Sequence, residues 1–388
     1  MGRYVVTFDT ADSQMLEHDA PGLLSAQGFS TDSYFPRLGV GVVDGEAGDL
    51  EAFSGRCRDR RAPMSYSPEL TYYAIGGRAA DLPAVELPSA VEPTAALFTD
   101  TPELTWGLQA VEIGRAQEAG RTGAGVRIAV LDTGFDLEHP DFLGRAVTAE
   151  SFIPGEGPAD VHGHGTHCVG SACGPWAPPS GRGFGVASGV EIFSGKVLGA
   201  DGSGSDASIL AGIDWALQND CQIISMSLGA DVREIHPPYV TAGRRALERG
   251  SVLIAAAGNN AGRSAGDPGF VGAPANSPYV MAVAALDAGL QVADFSARSL
   301  PHDGGEVDIA GPGVDIYSSW PGPEHHRSIS GTSMAAPHVS GVAALLSAST
   351  GLRGQPLWDE LIRTARPLSG ADVEDVGAGL AVIPAQDG

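Results

Sequence analysis

From residue 126 onward, apolar residues fall into short, nearly continuous runs, and segments with helical spacing lie between them. The apolar runs cover 126–131, 191–198, 221–228, 251–257 and 279–285. The helical patterns cover 164–172, 205–219 and 239–249. Strands buried on both faces that alternate with helices are typical of a parallel sheet covered by helices on both sides. We therefore predict an α/β domain, with its chemistry at the carboxyl ends of strands and at helix N-termini.

The first 80 residues follow another pattern. Strand-like alternation at 3–8, 38–43 and 71–75 is separated by weaker helical patterns at 14–27 and 49–58. This order predicts a small α+β domain, which becomes ferredoxin-like if one further strand is present. Residues 81–101, rich in Ala, Pro and Glu, lack periodicity and are expected to form a linker. The predicted division is thus 1–80, a linker at 81–101, and 102–388.

The charge of the chain excludes one class of partner. The 47 acidic residues exceed the 23 basic residues, for a net charge of −24. Nucleic-acid binding needs a basic footprint, so no nucleic-acid partner is expected.

No apolar run approaches 18 residues, so no membrane span is expected either. The N-terminus enters a strand pattern without the features of a secretory signal, which predicts a cytoplasmic protein, or a secreted one if a leader has been removed.

Four cysteines are too few for a disulfide scaffold in 388 residues. Cys168 and Cys173 are five residues apart on one predicted helix and should not face each other. We expect all four to be free thiols.

One stretch near the C-terminus, 330–341, carries candidate chemistry. It places Ser333 between a glycine and an apolar run with helical spacing. Pro337 is tolerated only near the first turn of a helix, so the helix should begin close to Ser333. The hydroxyl would then lie among unpaired backbone N–H groups, where an oxyanion is stabilised. The alternative is that Thr332 and Ser333 only cap a core helix.

Two further motifs bear on this alternative. Asp132-Thr133-Gly134 follows the first apolar strand. Aspartic proteases also use this motif, but they need two carboxylates that share a proton. No second such motif occurs in the chain, so an aspartic protease is excluded. Three histidines within 162–167 could bind a metal, but no Glu or Cys is placed to complete the set, and Cys168 should project elsewhere. The favoured interpretation makes His164 a general base at a helix N-terminus, with His167 structural.

The order Asp132, His164, Ser333 is the order of subtilisin. Together with their flanking residues, the three motifs resemble the signature blocks of subtilisin-like serine proteases over about residues 102–350. Cys168 and Trp106-Gly107-Leu108 resemble the proteinase K branch more closely. The resemblance implies a serine endopeptidase in which Ser333 attacks, His164 moves the proton and Asp132 orients His164. It also implies that Asn259 and the Ser333 N–H stabilise the oxyanion.

The resemblance further implies a cleft that binds the substrate as an added strand. The segments that match the family's binding segments are Gly202, Ser203, Gly204 and Ser227, Leu228, Gly229. Ala256, Ala257 and Gly258 would line the first specificity pocket, whose small walls favour bulky apolar side chains.

Calcium is the one cofactor that the resemblance implies, as a structural ion that the chemistry does not need. The carbonyls of Pro278 and Val280 and the carboxylate of Asp308 would bind it. Asp141 matches a ligand of another family site, but Pro102 occupies the position of its usual Gln partner.

The N-terminal domain is similar in layout to the propeptides of this family. We therefore expect a zymogen whose own N-terminal domain acts as an intramolecular inhibitor, with self-processing between Gly76 and Thr101. The expected partner is a polypeptide substrate, and the expected state is a monomer. Two alternatives remain: a peptide-binding protein whose N-terminal domain never leaves the cleft, and a protease dedicated to one precursor peptide.

Overall fold

The computed structural model describes residues 2–10, 12–30, 33–59, 63–74, 96–300 and 305–385. Most of the predicted linker, and the interval in which processing is expected, lie outside the described residues. None of the described helices is long and apolar enough to cross a membrane.

The N-terminal unit is a four-stranded antiparallel sheet with its own small core. The sheet order is β2-β3-β1-β4. Its elements, in chain order, are β1 (Gly2–Phe8), a π-helical turn (Met15–Asp19), α1 (Ala20–Ser25), β2 (Tyr34–Phe35), β3 (Val40–Gly45), α2 (Ala47–Asp59) and β4 (Met64–Pro68). The order β-α-β-β-α-β with this sheet order is ferredoxin-like. Strands β2 and β4 are the two members of this sheet that the sequence pattern did not reveal.

The predicted last strand of this domain is real but belongs elsewhere. Strand β5 (Thr71–Ala74) pairs with no strand of the N-terminal sheet. It lies between β9 (Ser203–Ser205) and β11 (Leu228–Gly229) of the larger domain and is antiparallel to both. The predicted strand is therefore confirmed over 71–74, but it pairs outside the N-terminal sheet. Ile75 lies outside the described residues.

The larger unit is built on a seven-stranded sheet in which every pairing is parallel, in the order β14-β13-β12-β10-β6-β8-β7. The strands are β6 (Arg127–Asp132), β7 (Val147–Ser151), β8 (Glu191–Lys196), β10 (Ile223–Met226), β12 (Val252–Ala256), β13 (Met281–Leu286) and β14 (Ile309–Pro312). A separate hairpin is formed by β15 (Ile316–Ser319) and β16 (His326–Ile329). The predicted α/β class is confirmed.

Two pairs of helices pack on this sheet, α5 with α8 and α6 with α7. The helices of the larger unit are α3 (Trp106–Ala110), α4 (Ile113–Glu118), α5 (His164–Cys173), α6 (Asp206–Gln218), α7 (Pro237–Glu248), α8 (Thr332–Thr350), α9 (Gly354–Thr364) and α10 (Val373–Val376). The apolar runs of the sequence form the core between sheet and helices, which is why the inner strands β10, β12 and β13 are buried along their whole length. The edge strand β7 has no fully buried residue.

Candidate active site

Helix α8 presents Ser333 at its second residue, as the position of Pro337 predicted. Pro337 has no N–H to donate to the carbonyl of Ser333 four residues earlier. That carbonyl instead accepts a hydrogen bond from Ser227 Oγ at 2.8 Å, with Cys168 Sγ at 3.6 Å. The proline therefore frees a backbone acceptor through which the β10–β11 junction and α5 hold Ser333 in place.

Asp132 and His164 meet where β6 ends and α5 begins. His164 Nδ1 lies 2.8 Å from Asp132 Oδ1, and both side chains are 1% exposed. The helix can come this close because Gly165 has no side chain; a Cβ there would overlap the carbonyl oxygen of Gly134. The pair is buried in a fixed orientation, as a general base and its orienting carboxylate require.

The hydroxyl of Ser333 does not contact His164 in this structure. It donates to the carbonyl of Ser227 at 3.1 Å, and His164 Nε2 has no hydrogen-bond partner among the described residues. Rotation of the Ser333 side chain is the movement that would join the two groups.

The protonation of His164 is set by opposing effects. Burial disfavours the imidazolium and is the largest single effect. The effects that favour the imidazolium, of which the charge of the adjacent Asp132 carboxylate is the largest, together outweigh burial, so the pKa of His164 is raised well above 6.5. Cys168 can contribute little charge, because burial raises the pKa of its thiol to about 11.

Cys168 corrects one expectation. The residue was predicted to project away from the histidines, yet its Sγ lies 3.8 Å from His164 Nδ1. Residues four apart share a face of a helix, so the spacing itself could have shown this. His167 is structural, as predicted: its Nε2 lies 2.8 Å from the carbonyl of Ile316, and burial lowers its pKa to about 3.

Sequence reasoning missed Asp160, which organises the loop before α5. Its carboxylate accepts hydrogen bonds from the backbone N–H groups of His162, Gly163 and Thr166 at 2.8–2.9 Å, and from the Thr133 hydroxyl at 3.0 Å. An Asp placed just before a predicted helix start was the available signal. Asp160 thereby joins the loop of Asp132 to the helix of His164.

Asn259 lies after β12 and faces the start of α8. Its Oδ1 accepts hydrogen bonds from the Thr332 N–H at 2.9 Å and the Thr332 hydroxyl at 2.8 Å. These two donors identify Oδ1 as the atom of the amide that faces Thr332. Ala256, Ala257 and Gly258, which precede Asn259, are all buried.

The two predicted binding segments form the walls of a groove, and β5 fills it. Ala74 pairs with Leu228 and Tyr73 with Gly229 on one side. On the other side Tyr72 pairs with Gly204, and the Ala74 N–H donates to the Gly202 carbonyl at 2.9 Å. The groove thus already holds an extended peptide, which is a segment of the same chain.

Comparison with known proteins decides the family. Residues 123–379 match the model of the Subtilase family. The chain belongs to the subtilases. It is 39% identical to the M-protease of Shouchella clausii (strain KSM-K16) over 289 residues, which cover 72% of this chain and 69% of that protein. It is 40% identical to subtilisin Savinase of Lederbergia lenta over 261 residues (66% and 87%) and 37% identical to subtilisin DY of Bacillus licheniformis over 247 residues (62% and 83%).

Membership makes the protein a subtilisin-like serine endopeptidase. The relatives named here are subtilisins and an M-protease, so the closer tie to the proteinase K branch remains a prediction. All four cysteines are free, as predicted.

The predicted calcium ligands of this subtilase line one pocket, together with Asn276, Ser277 and Glu306. Asp308 accepts a hydrogen bond from the Ala282 N–H at 2.7 Å, and burial, with Glu306 nearby, raises its pKa to about 7. Asn276 Oδ1 and Ser277 Oγ are buried there without hydrogen-bond partners among the described residues. Oxygen atoms without partners beside a partly buried carboxylate suit a hard cation, so the residues present fit Ca²⁺.

Asp141 does not fit the other family site. Its Oδ2 lies 2.7 Å from His326 Nε2 and accepts a hydrogen bond from the Ser180 hydroxyl at 2.8 Å, while its Oδ1 accepts from the Ser180 N–H at 3.3 Å. His326 is in turn stacked on Tyr317, with the ring centroids 5.1 Å apart. The imidazole of His326 and the hydroxyl of Ser180 therefore already contact the carboxylate oxygen that a calcium ion would need.

Proposed function

We propose that the protein hydrolyses peptide bonds with Asp132, His164 and Ser333 as its catalytic triad. The observation that carries this is the buried contact of His164 Nδ1 with Asp132 at 2.8 Å, next to a serine at the start of a helix. Ser333 Oγ turns from the Ser227 carbonyl to His164, loses its proton to Nε2 and attacks the carbonyl carbon of the substrate. His164 then protonates the leaving amine, which gives an acyl-enzyme that water hydrolyses.

The negative oxygen of each tetrahedral intermediate needs donors that are already oriented. We assign this role to the backbone N–H of Ser333 and to Nδ2 of Asn259. The orientation of Asn259 supports the assignment, since Thr332 holds the oxygen of its amide.

We also propose that the chain is made as a self-inhibited zymogen. Three contacts support this besides β5. Glu69 Oε1 accepts from the Ala207 N–H at the start of α6 (3.1 Å), Arg37 pairs with Asp214 (2.8 Å), and Arg245 of α7 donates to the carbonyls of Phe8 (2.9 Å) and Thr10 (2.8 Å). An inhibitor bound across the cleft and on two helices blocks any other substrate.

The strand register indicates where processing occurs. Tyr73 lies opposite Gly229 and Ala74 opposite Leu228, and the strands are antiparallel, so β5 advances along its partner in the direction of Ser227. The carbonyl of Ser227 accepts the hydrogen bond of the Ser333 hydroxyl. We therefore place the cleaved bond after residue 75, which makes Gly76 the new N-terminus, at the start of the interval expected from the sequence.

Purified full-length chain tests the triad and the processing together. The wild type should lose its first 75 residues, and mass spectrometry should find Gly76 at the new terminus. Ser333→Ala should stay intact, with Ser340→Ala, a buried serine on the same helix, as the matched control that is processed. Processing of Ser333→Ala would exclude Ser333 as the nucleophile.

The same occupied groove would also be found in a peptide-binding protein whose N-terminal domain never leaves. Hydrolysis of casein and labelling by a serine-directed phosphonate separate this candidate from the protease. Cleavage of casein and of many peptides in a library also excludes a protease dedicated to one precursor.

We further propose a structural calcium ion bound by Asp308 and the carbonyls of Pro278 and Val280. Bound there, the ion would neutralise a partly buried carboxylate and tie the loop before β13 to β14. It takes no part in the reaction.

A further inference from the structure

The side chains of β5 alternate between the groove and solvent. Tyr73 is 57% exposed, whereas Tyr72, opposite Gly204, is fully buried. If the cleaved bond follows residue 75, Tyr72 is the fourth residue on its amino side. Its pocket is therefore a substrate subsite that the chain's own segment occupies.

The pocket of Tyr72 combines an aromatic wall with a carboxylate. The rings of Tyr72 and Tyr239, on α7, meet edge to face with centroids 5.7 Å apart. Asp206, the first residue of α6, is completely buried beside them. Its Oδ2 lies 2.9 Å from His236 Nε2 and accepts the Leu70 N–H at 2.7 Å.

Three buried polar atoms lie together at the floor of the pocket. The hydroxyls of Tyr72 and Tyr239 and Oδ1 of Asp206 are buried together, and among the described residues their only hydrogen-bonding neighbours are one another. Burial and the Asp206 charge raise the pKa of both tyrosines well above 10, so both hydroxyls keep their protons and can donate. A buried acceptor without a donor is costly, which makes a substrate hydroxyl at this place favourable.

We propose that Asp206, with His236 and Tyr239, selects tyrosine as the fourth residue before the cleaved bond. The inference rests on the proposed protease function. Phenylalanine fills the same volume but removes one of the two hydroxyls that can donate to Asp206, leaving only that of Tyr239. Arginine brings five donors to a carboxylate whose other oxygen already has His236 and a backbone N–H, and it cannot reproduce the edge-to-face contact of the ring.

Peptides that copy residues 70–75 and end in a chromogenic amide test this selection on the processed enzyme. The residue at the position of Tyr72 is varied among Tyr, Phe, Leu and Arg, and kcat/KM is measured for each. We expect Tyr to exceed Phe about tenfold, since a hydrogen bond to a charged group is lost with Phe. Equal values for Tyr and Phe, or a preference for Arg, would overturn the proposal.

Substitution of Asp206 tests whether its carboxylate causes the preference for Tyr over Phe. In Asp206→Ala the ratio of kcat/KM for Tyr over Phe should fall to about one. Asp220→Asn, beyond the other end of α6, is the matched control and should keep the wild-type ratio. A ratio that survives Asp206→Ala would show that another group reads the hydroxyl.

Tyr72→Phe in the full-length chain leaves the processed enzyme unchanged but alters both the inhibitor and the fourth residue before the cleaved bond. Self-processing should then be several-fold slower than in the wild type, and the processed N-terminal domain should leave several-fold sooner. Electrophoresis over time measures the first rate, and size-exclusion chromatography of processed protein measures the second. If neither rate changes, the proposal is contradicted even if Asp206→Ala fails to fold. If no peptide or casein is cleaved and the phosphonate labels nothing, the protease function itself fails; cleavage without a preference for Tyr refutes only the subsite.

Discussion

At the scale of single residues, the candidate site depends on the buried pair of Asp132 and His164 and on the uncharged thiol of Cys168 beside it. Asp132 keeps the pKa of His164 high in spite of burial, while burial keeps the Cys168 thiol protonated. A base is useful only when it is unprotonated. Activity should therefore rise with pH as His164 loses its proton.

The first prediction concerns this pH dependence. The ascending limb of kcat/KM against pH should have its midpoint above 6.5, the ordinary pKa of histidine. Asp132→Asn should lower the midpoint, because it removes the charge that favours the imidazolium, and should reduce kcat by about 10⁴. Cys168→Ala is the control: its thiol is uncharged at neutral pH, so the midpoint should stay in place. A midpoint unmoved by Asp132→Asn would show that Asp132 does not set the pKa.

At the scale of elements, α8 gives up a helical hydrogen bond at its catalytic end. Pro337 lies inside the helix, where it removes the bond to the Ser333 carbonyl. Ser227 and Cys168 contact that carbonyl instead. The start of the helix is thereby attached to the sheet and to α5.

Pro337→Ala tests this attachment. The new N–H would draw the Ser333 carbonyl back into the helix and away from Ser227, so kcat should fall about tenfold while the melting temperature does not fall. Ser227→Ala should lower kcat and also lower the melting temperature, because it leaves the buried carbonyl without a strong donor, at a cost of about 1–3 kcal/mol. Steady-state kinetics and thermal unfolding of both variants distinguish the two effects.

A loop and a strand are joined at the proposed calcium site, and removal of the ion tests that link. At calcium about 100-fold above its dissociation constant, binding adds about 2.7 kcal/mol of stability. EDTA should then lower the melting temperature by roughly 5–10 °C. Asp308→Asn should abolish the response to EDTA, whereas Asp141→Asn, whose carboxylate is already occupied, should retain it. A response that is lost in Asp141→Asn would place the ion there instead.

At the scale of the whole molecule, the two domains are held together by more than the groove. Arg245 is buried, although it carries a charge, because its guanidinium donates to two carbonyls of the N-terminal domain. Gly39 allows this approach: any side chain there would collide with Arg245. After processing, release of the inhibitor must break these contacts as well as those of β5.

Arg245→Ala should therefore speed the release of the N-terminal domain at least tenfold, because charge-assisted hydrogen bonds at a buried site are lost. Arg244→Ala removes the neighbouring pair with Asp9, which is exposed, and should change the rate little. Size-exclusion chromatography of processed protein over time measures both. Similar rates for the two variants would contradict a special role for the buried arginine.

Some elements of the fold could be predicted from the sequence pattern and others could not. Continuous apolar runs predicted five of the seven parallel strands, because such strands are buried on both faces. Strands β7 and β14 were missed: β7 lies at an edge of the sheet and has no fully buried residue, and β14 is only four residues long. In the N-terminal domain β4 was missed although Met64 and Tyr66 alternate with Ser65 and Ser67, since the strand is only five residues long and ends in a proline.

The candidate site, too, could be predicted from the sequence only in part. Motifs and spacing identified the residues that the fold brings together, and the rule for Pro337 located the start of α8. Strand pairing was beyond the sequence: the pattern of Thr71–Ala74 predicts a strand but not its partner, and here the partner lies in another domain. The contacts of Asp160 and Asp206 likewise depend on loops whose paths no periodicity reveals.

The position of β5 also has a consequence for aggregation. Once β5 leaves, β9 and β11 become two facing edges with unpaired N–H and C=O groups. Exposed edges of this kind pair with any extended chain, and folded proteins usually cover them. Under the proposed self-inhibition, the same segment that blocks hydrolysis would also keep the newly folded protein from pairing, through these edges, with its neighbours.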